Sequence, residues 1–135
     1  MNIEAIKDKD ITLVLVVRGQ ENWDKGLKFV SSDEDYLQVG FWNYDKGQKL
    51  KEHIHLICSR EVLKTQEIIL VKQGNLKVDI YTNEEKFLKS IELKTEDIAI
   101  FLSGGHGYEI LEDNTKVVEI KNGPYVGADK DRKRI

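Results

Sequence analysis

The feature that most constrains the fold is a succession of about ten short runs rich in β-branched and aromatic residues, separated by turn residues. No run continues into the longer three-and-four-residue periodicity of an amphipathic helix. Closely spaced strands with turn signals between them are typical of β-sandwiches and β-barrels. The sequence therefore predicts an all-β protein.

The predicted strands differ in how clearly their pattern marks a buried face. Ile11 to Val17 is apolar throughout, as in a strand covered on both faces. In the segment NLKVDIYT, residues 75–82, every second residue from Leu76 to Ile80 is apolar, which indicates a half-buried strand. The other predicted strands are Leu27 to Val30, Tyr36 to Trp42, Leu50 to Ile57, Glu67 to Lys72, Phe87 to Leu93, Ile98 to Leu102, His106 to Leu111 and Lys116 to Ile120.

Length, charge and cysteine content restrict the class of protein further. A chain of 135 residues with 40% hydrophobic content can bury one core, so we expect a single domain over residues 1–135. The net charge of −3 is spread along the chain, which predicts no nucleic-acid partner. Cys58 is the only cysteine, and no apolar run approaches the roughly 20 residues of a membrane span. We therefore expect a cytoplasmic protein with no membrane partner.

The chain's three histidines form the candidate site together with one glutamate. His53 and His55 are separated by one residue, so on a strand both imidazoles project from the same face. Glu67 opens an apolar run, and His106 follows two glycines. Imidazoles and a carboxylate are ligands that iron, manganese or zinc accept. Taken alone, however, a His-x-His pair is more often an ordinary surface or hydrogen-bonded pair.

The spacing of this segment resembles the first cupin motif. Five residues separate Gly47 from His53-x-His55, and six residues separate Glu67 from Gly74. The sequence departs from the usual motif in having eleven residues between His55 and Glu67, where three or four are usual. Glu61, inside this insertion, is the rival for the carboxylate position. The second cupin motif is matched in part by Ser103-Gly104-Gly105-His106, without its proline.

The resemblance implies a single-domain cupin-type jelly-roll β-barrel with a metal in its mouth. The barrel would span residues 36–121, preceded by N-terminal strands and a loop in residues 1–35 and followed by a charged tail in residues 122–135. The resemblance implies one divalent ion (Fe, Mn, Ni or Zn), held by His53, His55, Glu67 and His106. The sequence is similar to those of small single-domain cupins found with polysaccharide and sugar-nucleotide pathways.

Two further residues are candidates for substrate binding. Arg60 lies in the insertion, and its guanidinium is either solvated or forms two hydrogen bonds to a substrate carboxylate or phosphate. Tyr108 shares a face with His106 if His106 begins a strand, which makes Tyr108 a pocket wall, a proton donor or an ordinary core tyrosine.

Three functions are compatible with these patterns. The first is a metal-dependent enzyme acting on a small polar metabolite such as a sugar or sugar nucleotide, by isomerase, epimerase or lyase chemistry. The second is an Fe(II) dioxygenase. The third is a non-catalytic module that binds a small ligand or serves assembly, because one fold hosts many functions.

The apolar strand Ile11 to Val17 also motivates a prediction about assembly. A barrel of this size closes without it, and an uncovered apolar strand is an aggregation hazard. We expect a homodimer with this strand at or beside the interface. The alternative is that the strand folds back onto its own barrel.

Overall fold

The computed structural model describes all 135 residues and contains ten strands and one short helix. All strand pairings are antiparallel. The all-β prediction is therefore confirmed, and the sheets are compatible with a barrel-like fold. The elements are β1 (Glu4–Asp8), β2 (Ile11–Val17), β3 (Gly26–Phe29), β4 (Gly40–Asn43), β5 (Glu67–Gln73), β6 (Asn75–Tyr81), β7 (Phe87–Lys94), β8 (Ile98–Phe101), β9 (Gly105–Ile110), β10 (Lys116–Lys121) and α1 (Ala128–Asp131).

Two sheets enclose the main core. One has five strands in the order β1-β2-β8-β5-β10, and the other has three in the order β7-β6-β9. The inward side chains of both sheets form one cluster of thirteen buried residues. In β6, Leu76, Val78 and Ile80 are all buried in this cluster, as their alternation predicts. Burial of such side chains contributes about 1.5–3 kcal/mol each.

The five-stranded sheet is apolar on its outer face as well. Leu15, Ile100 and Leu102 form a second buried cluster there. Half-buried side chains from the N-terminus and from the segments beside the β3–β4 hairpin pack on it, among them Ile3, Val30 and Val39. This cover explains why β2 lacks polar alternation: both of its faces are shielded from water.

The position of β2 bears on the predicted dimer seam. Strand β2 pairs with β1 on one side and with β8 on the other, so neither edge is free for a second subunit. Leu13, Val14, Val16 and Val17 are almost completely buried within their own chain. The run Ile11 to Val17 is therefore covered within its own chain, which is the alternative that the sequence left open, whereas the homodimer and its interface stay predictions.

Two further strands differ from the sequence prediction, one in its bounds and one in its existence. Of the predicted strand Tyr36 to Trp42, only the end belongs to β4, because the Tyr36 and Leu37 N–H groups donate to Gln66 Oε1 instead of a neighbouring strand. Strand β1 was not predicted, since Ile6 is its only buried residue and charged residues surround it.

The predicted strand Leu50 to Ile57 is wrong. Residues 44–66 contain no helix or strand, and Ile54, Leu56 and Ile57 are almost fully exposed. A sequence pattern supplies β-propensity, but a strand exists only where a neighbour accepts its backbone hydrogen bonds. Residues 50–57 make no such bonds here.

The C-terminal residues return to the body of the protein. They include helix α1, where the sequence predicts a tail. Thr65 hydrogen-bonds to Asp131, and Lys133 forms an ion pair with Glu85. No helix in the structure has the length and apolar character that a membrane crossing requires.

Candidate functional site

Glu67 is a buried carboxylate at the start of β5. Its side chain points between the two sheets and is 6% exposed. Phe101 of β8 and Lys121 of β10 are its direct cross-strand neighbours in the five-stranded sheet. Burial of an ionised carboxylate is costly unless hydrogen-bond donors surround it, so its partners decide its role.

Three donors surround Glu67. His106 Nε2 lies 3.0 Å from Oε1, and the Tyr108 hydroxyl donates a hydrogen bond to the same oxygen. Lys121 Nζ lies 3.4 Å from Oε2 and also pairs with Glu119. The site therefore gathers an imidazole, a phenol and an ammonium around one carboxylate.

Strand β9 delivers His106 and Tyr108 together. Side chains two residues apart on a strand share a face, and the two rings lie 5.0 Å apart between centroids. The Phe101 ring packs against His106 at 4.5 Å and supports it from the five-stranded sheet. Gly104 precedes the strand with φ of 75°, a conformation that other residues rarely adopt. As the sequence predicts, this turn places His106 at the start of a strand.

The surroundings favour the ionised form of Glu67. Burial alone would raise the pKa of Glu67, but hydrogen bonds from His106 and Tyr108 and the charge of Lys121 outweigh it and lower the pKa to about 2. Conversely, burial and the hydrogen bond to Glu67 raise the pKa of Tyr108. The hydrogen bond to Glu119 and the charge of Glu67 raise the pKa of Lys121. Tyr108 therefore keeps its proton, and Lys121 keeps its charge, throughout the physiological range.

The structure brings together only part of the predicted site. Glu67, His106 and Tyr108 are in contact, whereas His53, His55 and Arg60 lie on the exposed segment 44–64. The His53 and His55 rings are 5.1 Å apart. Arg60 makes no ion pair, and no group of three or more His, Cys, Asp or Glu side chains is gathered closely enough to hold a metal ion.

Lys121 is the member of the cluster that the sequence reasoning missed. Strand β10 has apolar residues on both faces, so its pattern does not show which way Lys121 points. The signal lies in the pairing of β10 with β5, which sets Lys121 opposite Glu67. Pairing of strands distant in sequence is not visible in the sequence of either one.

The residues that could bind a divalent metal form two separate pairs. Glu67 and His106 supply a carboxylate oxygen and an imidazole nitrogen 3.0 Å apart, both of which are ordinary ligands of iron, manganese and zinc. His53 and His55 supply a second pair of imidazoles on the exposed segment. The two pairs fit a four-ligand site in composition, but the structure does not bring them together.

Comparison of the chain with protein families, with curated proteins and with solved structures finds no match.

Proposed function

We propose that the Glu67 cluster is the active site of a metal-dependent cupin enzyme. Its substrate is a small polar metabolite, a sugar or sugar nucleotide, and its reaction is of the isomerase, epimerase or lyase type. The observation that carries this proposal is the contact between Glu67 Oε1 and His106 Nε2, because a buried carboxylate and an imidazole within 3.0 Å are equipped both to hold an ion and to move a proton.

One divalent ion (Fe, Mn, Ni or Zn) would be held by Glu67 and His106 together with His53 and His55. When bound, such an ion supplies Lewis acidity that polarises a carbonyl or hydroxyl group. Residues 44–66 are long enough for the approach, since the twelve positions from His55 to Glu67 span up to about 40 Å when extended. The exposed apolar residues Ile54, Leu56 and Ile57 favour such a docked state, because docking removes them from water.

The other members of the cluster have distinct roles in this proposal. The Tyr108 hydroxyl, which keeps its proton, donates to a substrate oxygen at neutral pH. The Lys121 ammonium offsets the charge of Glu67 and holds the carboxylate in place. Arg60 enters with the docked segment and binds a carboxylate or phosphate of the substrate through its planar guanidinium.

A substrate screen with two matched variants tests this function. The protein is reconstituted separately with iron, manganese, nickel and zinc, then incubated with sugars and sugar nucleotides with and without oxygen, and products are followed by NMR. We expect oxygen-independent conversion that Glu67→Gln lowers by at least about a hundredfold, as for loss of a group acting in general acid–base catalysis, and that Glu61→Gln leaves unchanged. Conversion only with oxygen would support the Fe(II) dioxygenase instead.

A second candidate function, a non-catalytic ligand-binding module, is favoured by a different observation. Glu67 already has three protein donors, so the cluster is satisfied without an ion. In that case the protein binds no metal tightly and converts no substrate, and Glu67→Gln alters stability alone.

A further inference from the structure

A second concave site lies on the outer face of the five-stranded sheet. It is a cleft of about 630 Å³, within the size range of small-molecule sites. Its floor is one cross-strand row formed by Val17, Ile98 and Leu70. Glu67 faces the other side of the same sheet, because its position differs from that of Leu70 by an odd number of residues. The cleft is therefore separate from the Glu67 cluster.

Two indole rings line this cleft. Trp23 and Trp42 are the only tryptophans in the chain, and they are 40% and 55% exposed. Trp23 packs edge-on against Phe41 at 5.0 Å, and Asn43 donates a hydrogen bond of 2.7 Å to the Trp23 carbonyl. The loop that carries Trp23 is thereby tied to β4, which carries Trp42. The two indoles are thereby held in place, and each keeps part of its surface exposed.

Charged groups of both signs surround the apolar surfaces. The Arg18 guanidinium is occupied, since Nη1 donates to Asp97 at 2.9 Å and to the Glu92 carbonyl at 2.6 Å. Lys72 and Glu96 also line the cleft, and their side chains make no hydrogen bond or ion pair. A ligand here meets a free ammonium and a free carboxylate beside apolar and aromatic surfaces. This balance suits an uncharged ligand with both apolar and hydroxyl-bearing parts.

We propose that this cleft binds a saccharide. A sugar ring has an apolar C–H face, which packs on an indole, and hydroxyl groups at its edge that both donate and accept. Lys72 donates to a ring hydroxyl and Glu96 accepts from one, while Trp42 covers the C–H face. An organic cation is disfavoured by Lys72 and Arg18, and a phosphate by Glu96 and Glu21. The inference does not depend on the metal centre.

Tryptophan fluorescence tests this inference directly, because both indoles line the cleft. The protein is titrated with methyl glycosides of glucose, galactose, mannose and N-acetylglucosamine and with maltose and cellobiose, up to about 50 mM, where a millimolar site is nearly saturated. At least one sugar should give a saturable change, confirmed by calorimetry. The same titration with adenosine and with tetramethylammonium tests whether the cleft binds a planar base or an organic cation instead of a sugar.

Two variants at Trp42 separate stacking from folding. Trp42→Ala should weaken sugar binding by about tenfold or more, whereas Trp42→Phe keeps a ring and should weaken it much less. Both leave Trp23 as the sole reporter. Phe87→Ala, which removes an exposed aromatic outside the cleft, should leave binding unchanged. No saturable change with any sugar, equal binding in Trp42→Ala and the wild type, or binding of adenosine or tetramethylammonium in place of sugars would overturn the saccharide site.

Discussion

His106 Nε2 lies 3.0 Å from Glu67 Oε1, although the two residues belong to different sheets. The contact, with the Tyr108 hydroxyl beside it, is a polar link between sheets whose other contacts are mainly apolar. The candidate active site therefore also links the two sheets, and we expect substitutions in it to change stability as well as chemistry.

The low pKa of Glu67 predicts a contribution to stability that disappears in acid. The folded-state pKa of about 2 lies below the ordinary value of 4.5, so the ionised form is favoured by folding. Its contribution is complete above pH 4.5 and is lost as the pH falls towards 2. The shift corresponds to about 3 kcal/mol at most.

Glu67→Gln in metal-free protein measures this contribution. Urea unfolding should show the variant less stable than the wild type at pH 7, with the difference shrinking between pH 5 and pH 2. The exposed Glu61→Gln serves as the control and should follow the wild type at every pH. A constant difference across this range would show that Glu67 does not supply the pH dependence.

Gly104→Ala should destabilise the protein and disturb His106. A Cβ at this position would lie 2.4 Å from the Tyr81 carbonyl oxygen, and φ is 75°. We expect a loss of at least about 2 kcal/mol in the free energy of unfolding. Gly107→Ala is the matched control, because its Cβ meets nothing within 4 Å. Equal stability of the two variants in urea unfolding would contradict this assignment.

Asp97 is a buried anchor that the sequence analysis did not identify. It is 6% exposed and accepts hydrogen bonds from Arg18 Nη1 at 2.9 Å, from the Gly19 N–H at 2.8 Å and from the Lys94 N–H at 2.9 Å. Asp97→Ala leaves these donors unpaired and should cost about 3–5 kcal/mol. The exposed Asp113→Ala should change the free energy of unfolding by less than about 0.5 kcal/mol. A loss below about 1 kcal/mol in Asp97→Ala would show that water replaces the carboxylate.

The homodimer also remains a testable prediction, with a different expectation for β2. Because Leu13 is fully buried in its own chain, Leu13→Lys should unfold the monomer and not merely dissociate a dimer. Light scattering at micromolar concentration measures the mass, and circular dichroism reports folding. A folded, monomeric Leu13→Lys variant beside a dimeric wild type would restore β2 as the seam.

Local patterns predicted the strands that carry their own signal. The alternation in β6 and the apolar run of β2 mark these strands clearly, and the glycine at position 74 marks the tight turn by which the chain passes from β5 in one sheet to β6 in the other. His106 and Tyr108 share a face because they lie two residues apart on one strand. These inferences succeeded because each depends on residues near one another in sequence, whereas the proximity of Glu67 to His106 was implied only by the resemblance.

The features that were not predicted depend on which strands pair with each other. Lys121 reaches Glu67 only through the pairing of β10 with β5, and Ile6 is buried only because β1 pairs with β2. The failure at Leu50 to Ile57 has the same origin, since its apolar and histidine pattern contains no information about a pairing partner. Its exposure leaves the histidine pair outside the Glu67 cluster.

The central claim is that one ion joins the histidine pair to the Glu67 cluster, and metal stoichiometry tests it most directly. Untagged protein is reconstituted with iron, manganese, nickel or zinc, freed of loosely bound ions, and assayed by elemental analysis beside His53→Ala, His106→Ala and Glu61→Gln. With four ligands sharing one ion, we expect close to one ion per chain in the wild type and Glu61→Gln, and loss of most of it in both histidine variants. Stoichiometric metal that survives His53→Ala, or none in the wild type with any of the four ions, would contradict the claim.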